Sequence, residues 1–430
     1  MTVQDKLIEP SRELAISGHY DTIVCGGGPA GFAAAVAAGR NGARTLLIEL
    51  AGCLGGIWTS GNLSIILDGN GKEGIFEELL VRLKAEGGYL HTNYKEEFTH
   101  DAEVMKIVLE QMCTEAGVDI HLHTRIVDAV VESSVIKAII TESHSGRRAF
   151  TAHTFIDATG NGDLAFRAGC SFETGHPKTG QTQPASMLAI IYGAPQSQEN
   201  TSIPDKHQEL RRFLQSADID PSYQSPCIFK LPNQNFSFLM MNHEYAVRCD
   251  STEDITKATL HGRKELFEAV KKLRKAPGWE NVLLVSTSSH IGIREGRRVK
   301  GLYKLVAEDL ITGRAFPDGI CEVNFNVDVH SLTRDADIGY FSGGIEHRPY
   351  QIPYRSLVSD EIRNLGMAGR CVSGDFWAHA SYRVTGNSVP MGEAIGYAAA
   401  NASHRNCSLH EVDGTEVSAY MRERGYFHHN

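Results

Sequence analysis

The stretch Tyr20–Glu49 constrains this chain more than any other. An apolar strand, Thr22 to Cys25, runs directly into Gly26-Gly27-Gly28-Pro29-Ala30-Gly31. An alanine-rich helix follows, and a second strand, Thr45 to Ile48, ends on Glu49. Gly26 permits a tight turn, Gly28 lets backbone approach a pyrophosphate, and Gly31 lets the helix pack closely on the strand. Phosphates then lie at the positive end of that helix. Glu49, at the tip of the second strand, can accept hydrogen bonds from both hydroxyls of a ribose. A glycine turn alone is weak evidence. Strand, glycines, helix, strand and acid in order within about thirty residues point to a dinucleotide.

Composition bounds the rest. With 430 residues and 42% hydrophobic content the chain can build a large core, and more than one domain is expected. Lys and Arg number 42 against 52 Asp and Glu, a net charge of −10 without a basic stripe, which argues against nucleic acid as a partner. The nine cysteines form no CxxC and no regular spacing, as expected of reduced thiols in a cytoplasm. Apolar runs fall short of a membrane span, and residues 1–18 lack the basic start and apolar heart of a signal peptide. The expected protein is cytoplasmic, with no membrane and no metal. His121 and His123 have no carboxylate or cysteine at ligand spacing nearby.

Apolar spacing predicts helices over Lys72–Glu86 and Asp101–Ala116, ended by Gly87-Gly88 and Gly117. Strands are predicted over Asp119–His123, Ile126–Glu132, Val135–Glu142 and Ala149–Ile156. In the middle of the chain, Met187–Tyr192, Phe236–Asn242 and Asn281–Thr287 read as strands. Thr252–Lys275 reads as an amphipathic helix capped near Ser251.

Three further segments narrow the dinucleotide. Thr154–Asp163 is a strand breaking at Ala158-Thr159-Gly160. Asn364–Cys371 is a strand ending in Gly369. Gly386–Gly396 opens a second alanine-rich helix. Together with the first motif, these segments resemble the FAD-dependent oxidoreductases of the glutathione-reductase-like superfamily, relatives of fumarate-reductase-type and hydroxylase-type flavoproteins. The resemblance covers residues 19–175 and 350–403 well and the middle weakly. It implies an α/β fold: a Rossmann-like FAD-binding domain, parallel sheet plus β-meander, with an inserted α+β substrate domain. The expected division is an N-terminal extension over 1–18, the FAD-binding domain over 19–175 and 350–430, and the substrate domain over 176–349.

The resemblance also implies FAD as cofactor. Gly26, Gly28, Pro29, Ala30 and Gly31 would hold the pyrophosphate, and Glu49 with Leu50 the adenosine ribose. Ile126 would contact adenine. Ala158, Thr159 and Gly160 would line the adenosine side, while Cys53, Gly55 and Gly56 would line the ring side. Gly369 would pass the ribityl chain, and Asn387, Ser388, Val389, Pro390 and Met391, opening the last helix, would face the pyrimidine edge. A helix N-terminus there would stabilise the negative charge of a reduced flavin. One residue departs from the wider pattern: Arg370, not an acid, follows Gly369. No second dinucleotide fingerprint is present, so no built-in NAD(P)H domain is expected.

The expected reaction moves a hydride between flavin N5 and a carbon of a small polar, hydroxylated or anionic substrate. His379 is the candidate proton shuttle, and Arg383 and Arg294 are the candidate substrate anchors. For each a bland reading stands beside the catalytic one: His379 packing against the flavin loop, and Arg294, Glu295 or Arg297 making an interdomain ion pair. Cys53 and Cys371 read as packing residues rather than a redox pair. The alternatives are a monooxygenase using NAD(P)H and oxygen, a flavin enzyme acting on RNA, and an electron-transfer subunit with a redox partner protein. A homo-oligomer is left open.

Overall fold

The structure is a computed structural model that describes residues 7, 9–92, 97–195, 204–233, 235–336 and 338–427. Of the N-terminal extension, residues 1–6 and 8 lie outside the described residues.

The sheet that carries the glycine motif is built from β1 (Ile16–Cys25), β2 (Thr45–Ile48), β3 (Asp119–His121), β4 (Arg125–Glu132), β5 (Val135–Ser143), β6 (Gly146–Asp157) and β7 (Leu365–Met367). Its order is β3-β2-β1-β6-β5-β4, with β7 also paired to β6. Strands β3, β2, β1, β6 and β7 run parallel to their neighbours, and β4-β5-β6 form the antiparallel meander. β6 therefore serves two partners on one edge. Its first half pairs with β5 through Ile139↔Phe150, and its second half with β7 through Leu365↔Phe155 and Met367↔Asp157. Asn364 fixes the fork: its amide donates to the Ile136 and His153 carbonyls, 3.0 and 3.1 Å, and its Oδ1 accepts from Ile136 N–H. The buried runs of β1 and β2 are continuous, as expected of parallel strands covered on both faces.

Helix α1 (Pro29–Arg40) covers one face of this sheet and is itself crossed by the long C-terminal helix, Thr385–Arg405. Small residues permit the crossing. A Cβ on Gly392 or Gly396 would run into the carbonyl oxygens of Ala30 and Ala34 respectively.

A second core lies in the middle of the chain. There an antiparallel sheet in the order Cys227–Lys230, Phe236–Met240, Ala189–Tyr192, Leu283–Thr287 is packed by α2 (Thr252–Leu273). Met187, Leu239, Ala258, Leu266, Val270 and Trp279 form its centre. Ser251 caps α2 by accepting from Asp254 N–H at 3.1 Å, as the sequence indicates. The helix Pro204–Ser216 and the strand Cys227–Lys230 were not among the predicted elements. Among the described residues, no helix is long and apolar enough to cross a membrane.

Candidate active site

The three motif glycines hold three different environments. Gly26 has φ +97°, and a Cβ on it would stand 2.5 Å from the Ala158 carbonyl oxygen. A Cβ on Gly31 would run into the Gly26 carbonyl. Gly28 faces open space: its Cβ would meet only the Gly56 Cα, 4.0 Å away. Gly28 is also the N-cap of α1, with no side-chain cap and Pro29 in the first turn, so an anion arriving there meets the positive end of the helix.

Glu49 is already oriented. Its Oε2 accepts from Gly27 N–H at 2.6 Å and its Oε1 from Ala51 N–H at 2.7 Å, and each oxygen keeps a lone pair for a ribose hydroxyl. Leu50 is exposed, and Ile126 is half-buried on β4, so both have surface to offer. An unassigned residue, Asp157, shapes the opposite wall. It is fully buried and accepts from Thr159 N–H, Thr159 Oγ1 and Ala165 N–H at 3.0, 2.7 and 2.8 Å. Burial raises its carboxyl above the ordinary range. It holds the turn through Thr159 and Gly160, whose φ is +76°.

The C-terminal segment divides. Gly369, at φ +80°, brings its backbone beside Ala30. Helix α3 (Phe376–Tyr382) and helix α4 (Thr385–Arg405) follow, separated by Arg383 and Val384. Asn387, Val389 and Met391 have no exposed surface at all, and Pro390 is buried too. Both polar side-chain atoms of Asn387 are buried without a hydrogen-bond partner. Ser388, also buried, keeps 6% of its surface exposed. His379 is buried as well. It is 0% exposed on α3, edge-on to Tyr382 at 5.6 Å. Neither ring nitrogen makes a well-formed hydrogen bond. Burial first, then Arg298, Arg383 and Arg370, push its pKa well below the usual histidine range, and a backbone contact with Arg370 does not offset them. His379 is therefore held neutral.

Cys53, half-buried, lies 3.3 Å from Ser60 Oγ, and no cysteine is disulfide-bonded. Cys371 is buried, its thiol pushed up by burial and bonded to the Asp157 carbonyl at 3.3 Å, which makes it inert.

Arg383 and Arg294 do come together, at the boundary between the two cores. Arg383 Nη2 donates to the Asp328 carbonyl at 2.8 Å and pairs with its carboxylate at 3.4 Å. Arg294 donates to the Pro184 carbonyl and to Ser186 Oγ, at 2.8 and 2.7 Å. Among the described residues no carboxylate lies within ion-pair distance of it. Burial, then Arg383, lower its pKa to about 10. Of the three residues expected to make an ion pair here, Glu295 and Arg297 do so and Arg294 does not: Arg298 pairs with Glu295, both buried, and Arg297 with Asp163 at 3.1 Å.

Sequence spacing gave no sign of the residues that complete this cluster. His330 pairs with Asp328 at 3.3 Å through Nε2 and contacts His243 Nε2 through Nδ1 at 3.1 Å. Tyr223 lies over His243, with ring centroids 3.9 Å apart. Opposed to burial, His330, Arg383 and Arg294 hold Asp328 down at about 2, while burial and Arg294 lower His330 to about 4. An ionised Asp328 can only accept, which assigns the protons. His330 Nε2–H faces Asp328, His330 Nδ1 accepts from His243 Nε2–H, and His243 Nδ1 is bare. That nitrogen is buried without a hydrogen-bond partner. A groove lined by Leu260, Phe267, Leu284 and Val285 lies on the outer face of the second core and shares no residue with this cluster.

The sequence profile of the family described as FAD dependent oxidoreductase matches residues 21–421. The chain belongs to that family. FAD is accordingly its cofactor, and the open space at Gly28, the oriented Glu49 and the bare end of α1 fit it. Among solved structures, the chain is similar to a geranylgeranyl bacteriochlorophyll reductase-like protein from Thermoplasma acidophilum, with a TM-score of 0.51 and 12% identity, covering 95% of this chain and 84% of that one. It is also similar to the p-nitrophenol 4-monooxygenase PnpA from Pseudomonas putida, with a TM-score of 0.50 and 11% identity over 96% and 87% of the two chains. At such identities these likenesses show the fold alone. No curated protein sequence matches the chain. As a member of the family, the protein is an oxidoreductase.

Proposed function

We propose that this FAD-dependent oxidoreductase moves a hydride between flavin N5 and a carbon of a small carboxylate-bearing substrate, bound where Arg294 and Arg383 meet. The flavin supplies the redox step. The chain's share is to bind and orient the anion, and to manage one proton. One observation carries the reading: Arg383 pairs with Asp328 at 3.4 Å while the neighbouring Arg294 has no carboxylate within ion-pair distance among the described residues, so one positive charge is surplus in a largely enclosed site. Enclosed unpaired charge is costly, and an anionic substrate removes the cost. Arginine suits it because a planar fork matches a carboxylate. Proton handling moves from His379 to the His330–His243 pair, oriented by Asp328.

An anion beside Arg294 and Arg383 cancels the repulsion that depresses His330, so binding should draw a proton onto the histidines. Apparent affinity should therefore rise as pH falls from about 6.5 towards 4. The test is anaerobic mixing of the yellow protein with hydroxy acids, sugars and amines. Bleaching of the flavin band by carboxylates, lost in Arg294→Met and shifted in pH profile in His330→Gln, is expected. Bleaching by neutral sugars or amines with hydroxy acids inert would overturn it. Oxygen consumed in step with NAD(P)H would point instead to a monooxygenase.

A further inference from the structure

Arg370 is a second enclosed guanidinium, after Arg294, with no ion pair among the described residues. Its Nη2 donates to Asn161 Oδ1 at 2.8 Å, while its Nε is buried with no hydrogen-bond partner. Among the described residues no carboxylate lies within ion-pair distance. Burial lowers its pKa; of the groups around it Arg383 lowers it further, while Cys249, Cys371 and the more distant Asp163 carboxylate act the other way without reversing the shift. One side of its surroundings belongs to the glycine groove. A Cβ on Gly160 would stand 2.8 Å from Arg370 Nη2. The preceding residue, Gly369, abuts Ala30, the second residue of α1, and the turn that ends at Gly160 abuts Gly26. The turns at 26–31, 158–161 and 369–370 thus converge.

We propose that Arg370 is a cofactor-binding residue whose guanidinium neutralises the diphosphate of FAD. The inference rests on FAD being the cofactor, and not on which substrate the enzyme takes. Asn161 is neutral and cannot compensate a charge, so the FAD-free protein holds this cation at a cost that the arriving diphosphate removes. A purely structural arginine would stabilise the empty protein. A ligand-directed one does the opposite, and the two roles therefore predict effects of opposite sign.

The experiment compares wild type with Arg370→Met, Arg370→Gln and Arg370→Lys after FAD is stripped. Affinity is measured for FAD and for ADP, a diphosphate without the ring, across a salt series, alongside the melting temperature of each FAD-free protein. In Arg370→Met, both affinities should fall about 10–100-fold, the span of one charge-assisted hydrogen bond. Their salt dependence should flatten, and the FAD-free protein should melt no lower than wild type. Arg370→Lys should keep the salt dependence and lose part of the affinity, and Arg370→Gln serves should the methionine variant fail to fold. Unchanged ADP affinity overturns the proposal, including the case in which only the flavin's midpoint potential moves. So does a melting temperature that falls together with affinity in both neutral variants, because that marks a strut for the Asn161 turn.

Discussion

Gly28 and Gly31 stand three residues apart in one motif, yet a methyl group on each should do different things. At Gly31 the added carbon would overlap the Gly26 carbonyl, a backbone atom inside the turn that starts α1. Neither partner can rotate away, so α1 must lift off β1. Overpacking of this kind costs about 1–3 kcal/mol, and a backbone neighbour argues for the upper end. For a chain this long that is roughly 1 °C of melting temperature per kcal/mol. At Gly28 the same methyl would meet only Gly56 Cα at 4.0 Å, which is ordinary contact, and the extended φ of −71° suits alanine. The FAD-free Gly28→Ala protein should therefore melt within about 1 °C of wild type. The methyl instead fills the space a diphosphate must enter. Losing even one backbone hydrogen bond to a charged phosphate, about 1.5–3 kcal/mol, weakens FAD about 10–100-fold. Differential scanning fluorimetry of the stripped proteins and flavin-fluorescence titration separate the two effects. If Gly28→Ala binds FAD as wild type does, or destabilises the empty protein as much as Gly31→Ala does, the division of labour argued here is wrong.

Two further outcomes are expected. His100 and His330 are buried with pKa values lowered to about 4, so between about 6.5 and 4 the unfolded chain binds protons that the folded chain does not. Stability is therefore lost as pH falls through that window, by roughly 3 kcal/mol per residue in total. His100→Gln should flatten urea-melt stability against pH by one proton, and an unaltered slope would refute the assignment. Glu393, buried within α4, accepts from Tyr426 OH at 2.5 Å and from Ile75 N–H at 2.9 Å. Glu393→Leu should cost about 2–4 kcal/mol by stranding both donors, and Glu393→Gln less, as read by denaturant titration.

What the sequence disclosed followed from how local each constraint is. The glycine turn, β2 and Glu49 are read from adjacent residues, and β2 falls where predicted, over Thr45–Ile48. The meander strands agree within a few residues because alternation and turn glycines delimit them. Asp328, His330, His243 and Tyr223 come from separate stretches that only tertiary folding joins, so no spacing could flag them. The complete burial of His379, Asn387, Val389 and Met391 was equally out of reach. Proximity in sequence to a cofactor segment does not tell which helical face turns inward. The helix Pro204–Ser216 escaped notice because it is strongly polar, and Cys227–Lys230 because a four-residue apolar run has no period to read.

The fork in β6 bears on how the chain is made. Its second half gains its β7 neighbour only from residues some two hundred positions later, with Asn364 reaching back to His153 across a separation of 211. During synthesis, the nascent N-terminal part therefore leaves the ribosome with half of one strand edge unpaired, a surface prone to mispairing. Closure of such distant contacts is slow. The glycine groove, where Gly369 stands beside Ala30, reaches its finished shape only once residues 365–370 have joined the segments at 26–31 and 155–160.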